Sequence, residues 1–146
     1  MLKLAGETDI GILEAHKADP DAHHSNVAEI SFTIDGGGSA ITIGEKGHLE
    51  IPFACTIQAW TLIADQAGAI KIDVWRDTYA SFPPTNTKSL CNSHEPEIAA
   101  SGQKAQDTDL SDWTSVAIVA GDILAFNVDS CTTIERVTLS LKVAKS

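Results

Sequence analysis

From Ala28 onward, hydrophobic residues recur at every second position. In AEISFTI, Ile30, Phe32 and Ile34 alternate with Glu29, Ser31 and Thr33. That is the period of a strand with one buried face. Asp35-Gly36-Gly37-Gly38 ends it, because consecutive glycines supply turn conformations. SAITIG predicts a short second strand, and Gly44-Glu45-Lys46-Gly47 a hairpin turn into HLEIPFA. Pro52 places that run at a sheet edge or a strand end. CTIQAWTLIAD is apolar on both faces, with Ile57, Ala59, Thr61 and Ile63 on one and Trp60 and Leu62 on the other. Such a strand is central, or one face is covered by another subunit. AIKIDVWRD alternates cleanly, with Ile70, Ile72 and Val74 inward and Lys71, Asp73 and Trp75 outward. A turn around Asp65–Gly68 is expected to join these two runs as a hairpin.

The interval from Thr78 to Thr114 is rich in Pro, Ser, Asn, Asp and Thr and reads as a long loop. Loops of that length in compact domains tend to carry function. Phe82-Pro83-Pro84 restricts its backbone to extended geometry. SVAIVAGDILAFNVDS predicts two strands around Gly121-Asp122. IERVTLSLKVA is the cleanest amphipathic strand, with Val137, Leu139, Leu141 and Val143 inward. About eight short strands with little helix define an all-β protein, an antiparallel β-sandwich or jelly roll. Residues 1–27 differ: they are polar and show no alternation. A helical turn through Ile10–His16 is compatible with the spacing of Ile10, Leu13 and Lys17, and Pro20 would stop it. The chain thus divides into an extended N-terminal arm, 1–27, and a sandwich domain, 28–146.

A length of 146 residues supports one core. Hydrophobic content of 43% is that of a globular chain. No apolar run is long enough to span a bilayer, so no membrane partner is expected. The first residues lack a signal peptide's apolar stretch and cleavage site, which predicts synthesis in the cytoplasm. The net charge of −10 and the lack of a basic cluster exclude nucleic acid as a partner. Cys55, Cys91 and Cys131 are odd in number and widely spaced, which argues for free thiols over a disulfide framework or zinc site.

His16, His23 and His24, with Asp19 and Asp21, are the one concentration of metal-capable side chains in the sequence. A compact His/Asp segment alone does not make a metal site, and the simpler reading is a solvated arm whose residues cap turns. No cofactor is expected: there is no nucleotide-binding glycine fingerprint. No enzyme is expected either. The Gly-x-Ser-x-Gly elbow is absent, and Glu95 and Glu97 lie two apart on a loop without evidence of a shared cleft. Trp75, Tyr79 and Phe82 are candidate interaction residues, as are Ile10 and Leu13 of the arm. The aromatics either contact a partner or pack under the long loop or a neighbouring subunit.

GGGSAIT, EIPFACTIQAWTLIADQAGAIKIDVWRDTY, FPPT, GDILAFNVDS and RVTLSLKV, in that order, resemble a family of β-domains in tailed-bacteriophage virion proteins. The resemblance covers roughly Ile30 to Val143. It implies a β-sandwich in a structural or receptor-contacting role, commonly a trimer, with no catalytic activity. The segment from His16 to His23 is similar to His, Asp-Pro, His segments of phage fibre proteins, but His24-Ser25-Asn26 departs from their commonest form. The expected function is therefore a phage virion structural protein. An arm of 27 residues is short for a fibre shaft and suits a trimeric capsid cement or decoration protein on a major capsid protein. The alternative is a tail-fibre or receptor-binding component that recognises a host glycan. Either reading places the protein in the virion.

Overall fold

The computed structural model describes residues 25–146. Ile10, Leu13, His16, His23 and His24 lie outside the described residues. Seven strands make one antiparallel sheet: β1 (Val27–Asp35), β2 (Gly44–Ile51), β3 (Cys55–Asp77), β4 (Glu97–Asp107), β5 (Ala117–Ile118), β6 (Asp122–Thr132) and β7 (Arg136–Lys145). The main path runs β1-β7-β3-β6-β2, with β4 and β5 on the other edge of β3. The sheet curls so that its two halves face each other. Phe32 of β1 stacks on Phe126 of β6 with ring centroids 4.5 Å apart, although these strands lie at different ends of the path. The expected all-β antiparallel sandwich is present, and its two leaves are one continuous sheet.

The inward rows are those the alternation predicts. Ile30 and Ile34 of β1, Ile70, Ile72 and Val74 of β3, and Val137, Leu139, Leu141 and Val143 of β7 all join one buried cluster. Each fully buried side chain of this kind contributes about 1.5–3 kcal/mol. All three cysteines are free; Cys55 and Cys91 are buried. Burial is the main reason the Cys91 thiol is pushed far above its ordinary range.

Several expectations are corrected. No hairpin turn forms at Asp65–Gly68, because β3 continues through it for 23 residues. Its first part pairs with β7 as far as Ala64, and its second part pairs with β6 from Ala69. Gly68 sits where the strand changes partner. A Cβ there would lie 2.3 Å from the Thr132 carbonyl oxygen and 2.3 Å from Thr133 Oγ1. The glycine is needed for close approach of another strand, which sequence alone does not separate from a turn. Asp65 closes the same corner: its Oδ1 accepts from the backbone N–H of Arg136 at 3.0 Å and of Glu135 at 3.2 Å.

The two apolar faces of CTIQAWTLIAD arise from a β-bulge. The register with β7 slips between Ile57 and Ala59. Cys55 and Ile57 are buried before the slip, Trp60 and Leu62 after it; Ala59, opposite Lys142, is also buried, and Ile63 is turned out. SAITIG is not a strand: Ile41 is buried in a loop and donates its N–H to the Ile134 carbonyl at 2.9 Å. Gly44–Gly47 is not a turn but the bulged start of β2, where a Cβ on Gly47 would lie 2.6 Å from the Phe32 ring. The interval from Thr78 to Thr114 contains β4, which pairs with β3 from Trp60 to Lys71. Among its residues only Ile98 is buried, so no alternation marks it. Among the described residues seven strands therefore replace the expected about eight.

Replacing Gly68 with Ala should destabilise the fold by about 1–3 kcal/mol, since backbone and a pinned hydroxyl block the new methyl. Urea unfolding reads this as a lowered midpoint. An unchanged midpoint would mean the corner is not close-packed.

Candidate interaction site

The segment after β3 folds back over the outer face of the β2–β6–β3 leaf. In the ladder, Ala125 lies between Trp75 and His48. It is fully buried although it points away from the core row of Leu124 and Phe126. A short 3-10 turn at Tyr79–Ser81, capped by the Thr78 hydroxyl, brings Phe82 onto the His48 ring. The centroids are 4.7 Å apart at 65°. A second turn at Asn86–Lys88 faces Trp75 across a cleft. Ser89 forms an antiparallel bridge with Trp75, and Leu90 donates to the Val74 carbonyl at 2.9 Å. The excursion therefore lies on the sheet and also extends its edge.

The three described aromatic candidates take different positions. Trp75 is half-buried and its Nε1–H donates to Asp73 Oδ2 at 2.8 Å, so its polar edge is committed internally. Tyr79 is 76% exposed and Phe82 50% exposed, and these two are the aromatic groups on the outside of the excursion. Trp60 is core, as expected. Trp113 is buried and its Nε1–H donates to the His94 carbonyl at 3.1 Å, anchoring the second part of the excursion.

A carboxylate group that the sequence does not announce lies beside Trp75. Oxygens of Asp73, Glu95 and Asp129 come within 4.8 Å of one another. Asp73 is only 7% exposed, and both its oxygens are bonded, one to Trp75 and one to the Ser89 hydroxyl at 2.6 Å. Asn127 Nδ2 donates to Asp129 Oδ1 at 2.6 Å. Partial desolvation, then the charges of Asp73 and Glu95, hold the Asp129 carboxyl above its ordinary value of 3.8. Nearby, Lys71 pairs with Glu97 at 3.3 Å, so Glu97 is engaged in an ion pair. These three carboxylates are, among the described residues, the set able to hold a cation, but their bonds to Trp75, Ser89 and Asn127 already explain the arrangement. Positions 73, 95 and 129 have no spacing that sequence reasoning could recognise; only the pairing of β3 with β6 and the return of the excursion bring them together.

The cleft of about 570 Å³ beside this group is lined by Asp73, Trp75, Thr85, Asn86, Asn127 and Asp129. Its walls are hydroxyl, amide and carboxylate groups around one indole. It offers polar recognition and an acidic field, with no nucleophile paired to a base. No helix among the described residues is long and apolar enough to cross a membrane.

No protein-family model matches the sequence, and no curated protein matches it either. Among solved structures, the chain is similar to a chain in the capsid of Ralstonia phage GP4. The TM-score is 0.51 at 16% identity, covering 82% of this chain and 84% of that one. Likenesses to a serine protease of Aeromonas sobria (TM-score 0.34, 10% identity, 80% of this chain and 27% of that one) and to infectious bursal disease virus, Gx strain (0.30, 10%, 80% and 32%), are too distant to bear on it. The similarity to the phage capsid chain is one of fold, over about four fifths of each chain.

Because the Asp129 pKa is raised in the folded state, ionisation works against folding. Stability should fall as pH rises from the unfolded pKa through the higher folded one. Asp129→Asn should therefore be more stable than the parent at neutral pH, with the advantage vanishing below the ordinary carboxylate range. Thermal midpoints of both proteins across that range test this, and a constant gap between them would refute it.

Proposed function

We propose that this chain is a structural protein of a phage virion, a trimeric cement protein that binds between subunits of the capsid shell. One observation carries the reading: the fold likeness to a chain from the capsid of Ralstonia phage GP4, which spans most of both chains. The polar walls of the cleft, without a nucleophile–base pair, support an interface role over a catalytic one. The partner in this reading is the major capsid protein or another virion protein. The residues before β1 serve as an arm along neighbouring shell subunits in this reading.

A cement protein stabilises a shell because it binds the assembled state and not the dissociated one, so linkage shifts the equilibrium towards assembly. An interface of standard size buries about 1,600 Å² in total, and several such contacts in a trimer act through effective concentration. The acidic outer leaf would steer the protein to basic patches on the shell.

A second reading rests on a specific feature. Tyr79 and Phe82 are exposed beside a polar cleft that contains Trp75 and Asn127. Aromatic and amide groups together suit contact with a host glycan, as in a tail-fibre or receptor-binding component.

Heating particles with and without this protein separates the two. The cement reading expects a lower rupture temperature in its absence. Equal rupture temperatures with loss of host adsorption would replace it with the receptor-binding reading. Deleting residues 1–24 should leave the unfolding midpoint of the sandwich nearly unchanged and reduce particle occupancy; full occupancy would remove the arm from the mechanism.

A further inference from the structure

We infer that copies of this chain associate through the outer face of the β1–β7–β3 leaf, with Ile63 at its centre. This rests on the trimeric reading above and names the surface that reading requires. The two outer faces differ in cover. The β2–β6–β3 face lies under the chain's own excursion, and Ala125 and Ile123 are buried there. On the opposite face Ser31, Thr33 and Ile63 are exposed, and Ala59, towards its end opposite Lys142, is buried. Its cross-strand rows read Ser31–Ser140–Thr61–Gln106 and Thr33–Thr138–Ile63–Lys104. Thr33 and Thr138 hydroxyls bond each other at 2.8 Å. Ile63 is 54% exposed in the middle of this lattice of short side chains. Three shallow clefts open on the same face, and Thr61 or Ile63 lines every one of them. Short, β-branched side chains held in a rigid sheet lose little conformational entropy on contact.

Charge decides the occupant. The ionic groups of this face are Glu29, Asp35 and Asp65 against Lys104, Arg136 and Lys142, three negative and three positive. Asp35 and Arg136 are direct cross-strand neighbours, as are Glu29 and Lys142. The face sums to zero, while the described residues hold 15 acidic and 8 basic side chains, net −7, so their excess lies elsewhere. Two copies that approach through the covered leaf set the Asp73, Glu95 and Asp129 carboxylates against one another. Through this face they meet as neutral surfaces with an apolar centre. A basic partner would instead be drawn to the acidic, covered leaf. The bare face therefore fits a second copy of the same chain.

Sedimentation of the full-length protein tests this, comparing wild type with Ile63→Asp and Thr61→Arg. Both positions face outward, and unfolding midpoints close to wild type confirm that each variant folds. Both variants should associate at least about tenfold more weakly than wild type. Tyr79→Asp, on the covered leaf, should leave association unchanged. Raising salt from about 50 to about 500 mM should strengthen wild-type association, because it screens the repulsion between acidic copies. An oligomeric wild type whose state survives both substitutions overturns this inference and leaves the trimeric reading standing. A wild type that is monomeric at all concentrations, with no three-fold arrangement on its particle, overturns both.

Discussion

β3 is the one element that β4, β5, β6 and β7 all pair with directly. β1 and β2 reach it through β7 and β6. A strand of 23 residues cannot stay flat and also enclose a core, so it must bend or coil. The bend falls at Asp65–Gly68, where the partner on one edge changes from β7 to β6. Three features make the corner. Gly68 leaves room for the Thr132 carbonyl and the Thr133 hydroxyl. Thr133, at φ +64, takes a left-handed backbone that its hydroxyl pins by donating to the Ala67 carbonyl at 2.8 Å. Asp65 accepts the N–H groups that open β7. Those bonds favour the ionised carboxylate strongly enough to outweigh desolvation and depress the Asp65 pKa. With the corner set, Phe32 meets Phe126 and the two leaves close on one core.

The same corner separates two surfaces of different character. Beyond it, β3 enters the leaf covered by the excursion, with the carboxylates of Asp73, Glu95 and Asp129 against Trp75 and Asn127. Before it, β3 lies in a bare leaf of Thr, Ser and Ile side chains with balanced charge. A fold that covers one of its leaves with its own chain and leaves the other bare has two kinds of surface to offer. In the proposed association the neutral surface is taken by copies of the chain, which leaves the acidic one for basic partners. That division suits a protein whose work is to occupy positions in an assembly.

What the sequence revealed follows from where alternation is the physical signal. β1, the second part of β3, and β7 each bury one face and expose the other, so Ile30, Val74 and Leu139 were readable as core. The signal fails in three ways. A bulge at Gln58 moves the apolar phase from Cys55 and Ile57 to Trp60 and Leu62, which imitates a strand buried on both faces. Glycines that permit close approach, Gly47 and Gly68, imitate turns. β4 buries only Ile98 and has no pattern to read. Of the interaction candidates, the exposure of Tyr79 and the internal bond of Trp75 depend on how the excursion lies, which composition does not encode. The Asp73–Glu95–Asp129 group depends on three separated segments meeting.

Ile63 shows why a local pattern and an interface are easily confused. In sequence it belongs to an apolar run, and a residue in such a run is expected inside. The bulge turns it outward by one position, next to Thr138 and Lys104. A half-exposed isoleucine at the centre of a regular, uncovered sheet face exposes apolar area that a polar residue would not, and nothing in the core requires it there. A doubly apolar strand suggests a central position or cover by another subunit. The bulge accounts for the buried residues on both sides, and leaves Ile63 as the part of that suggestion that packing within the chain does not explain.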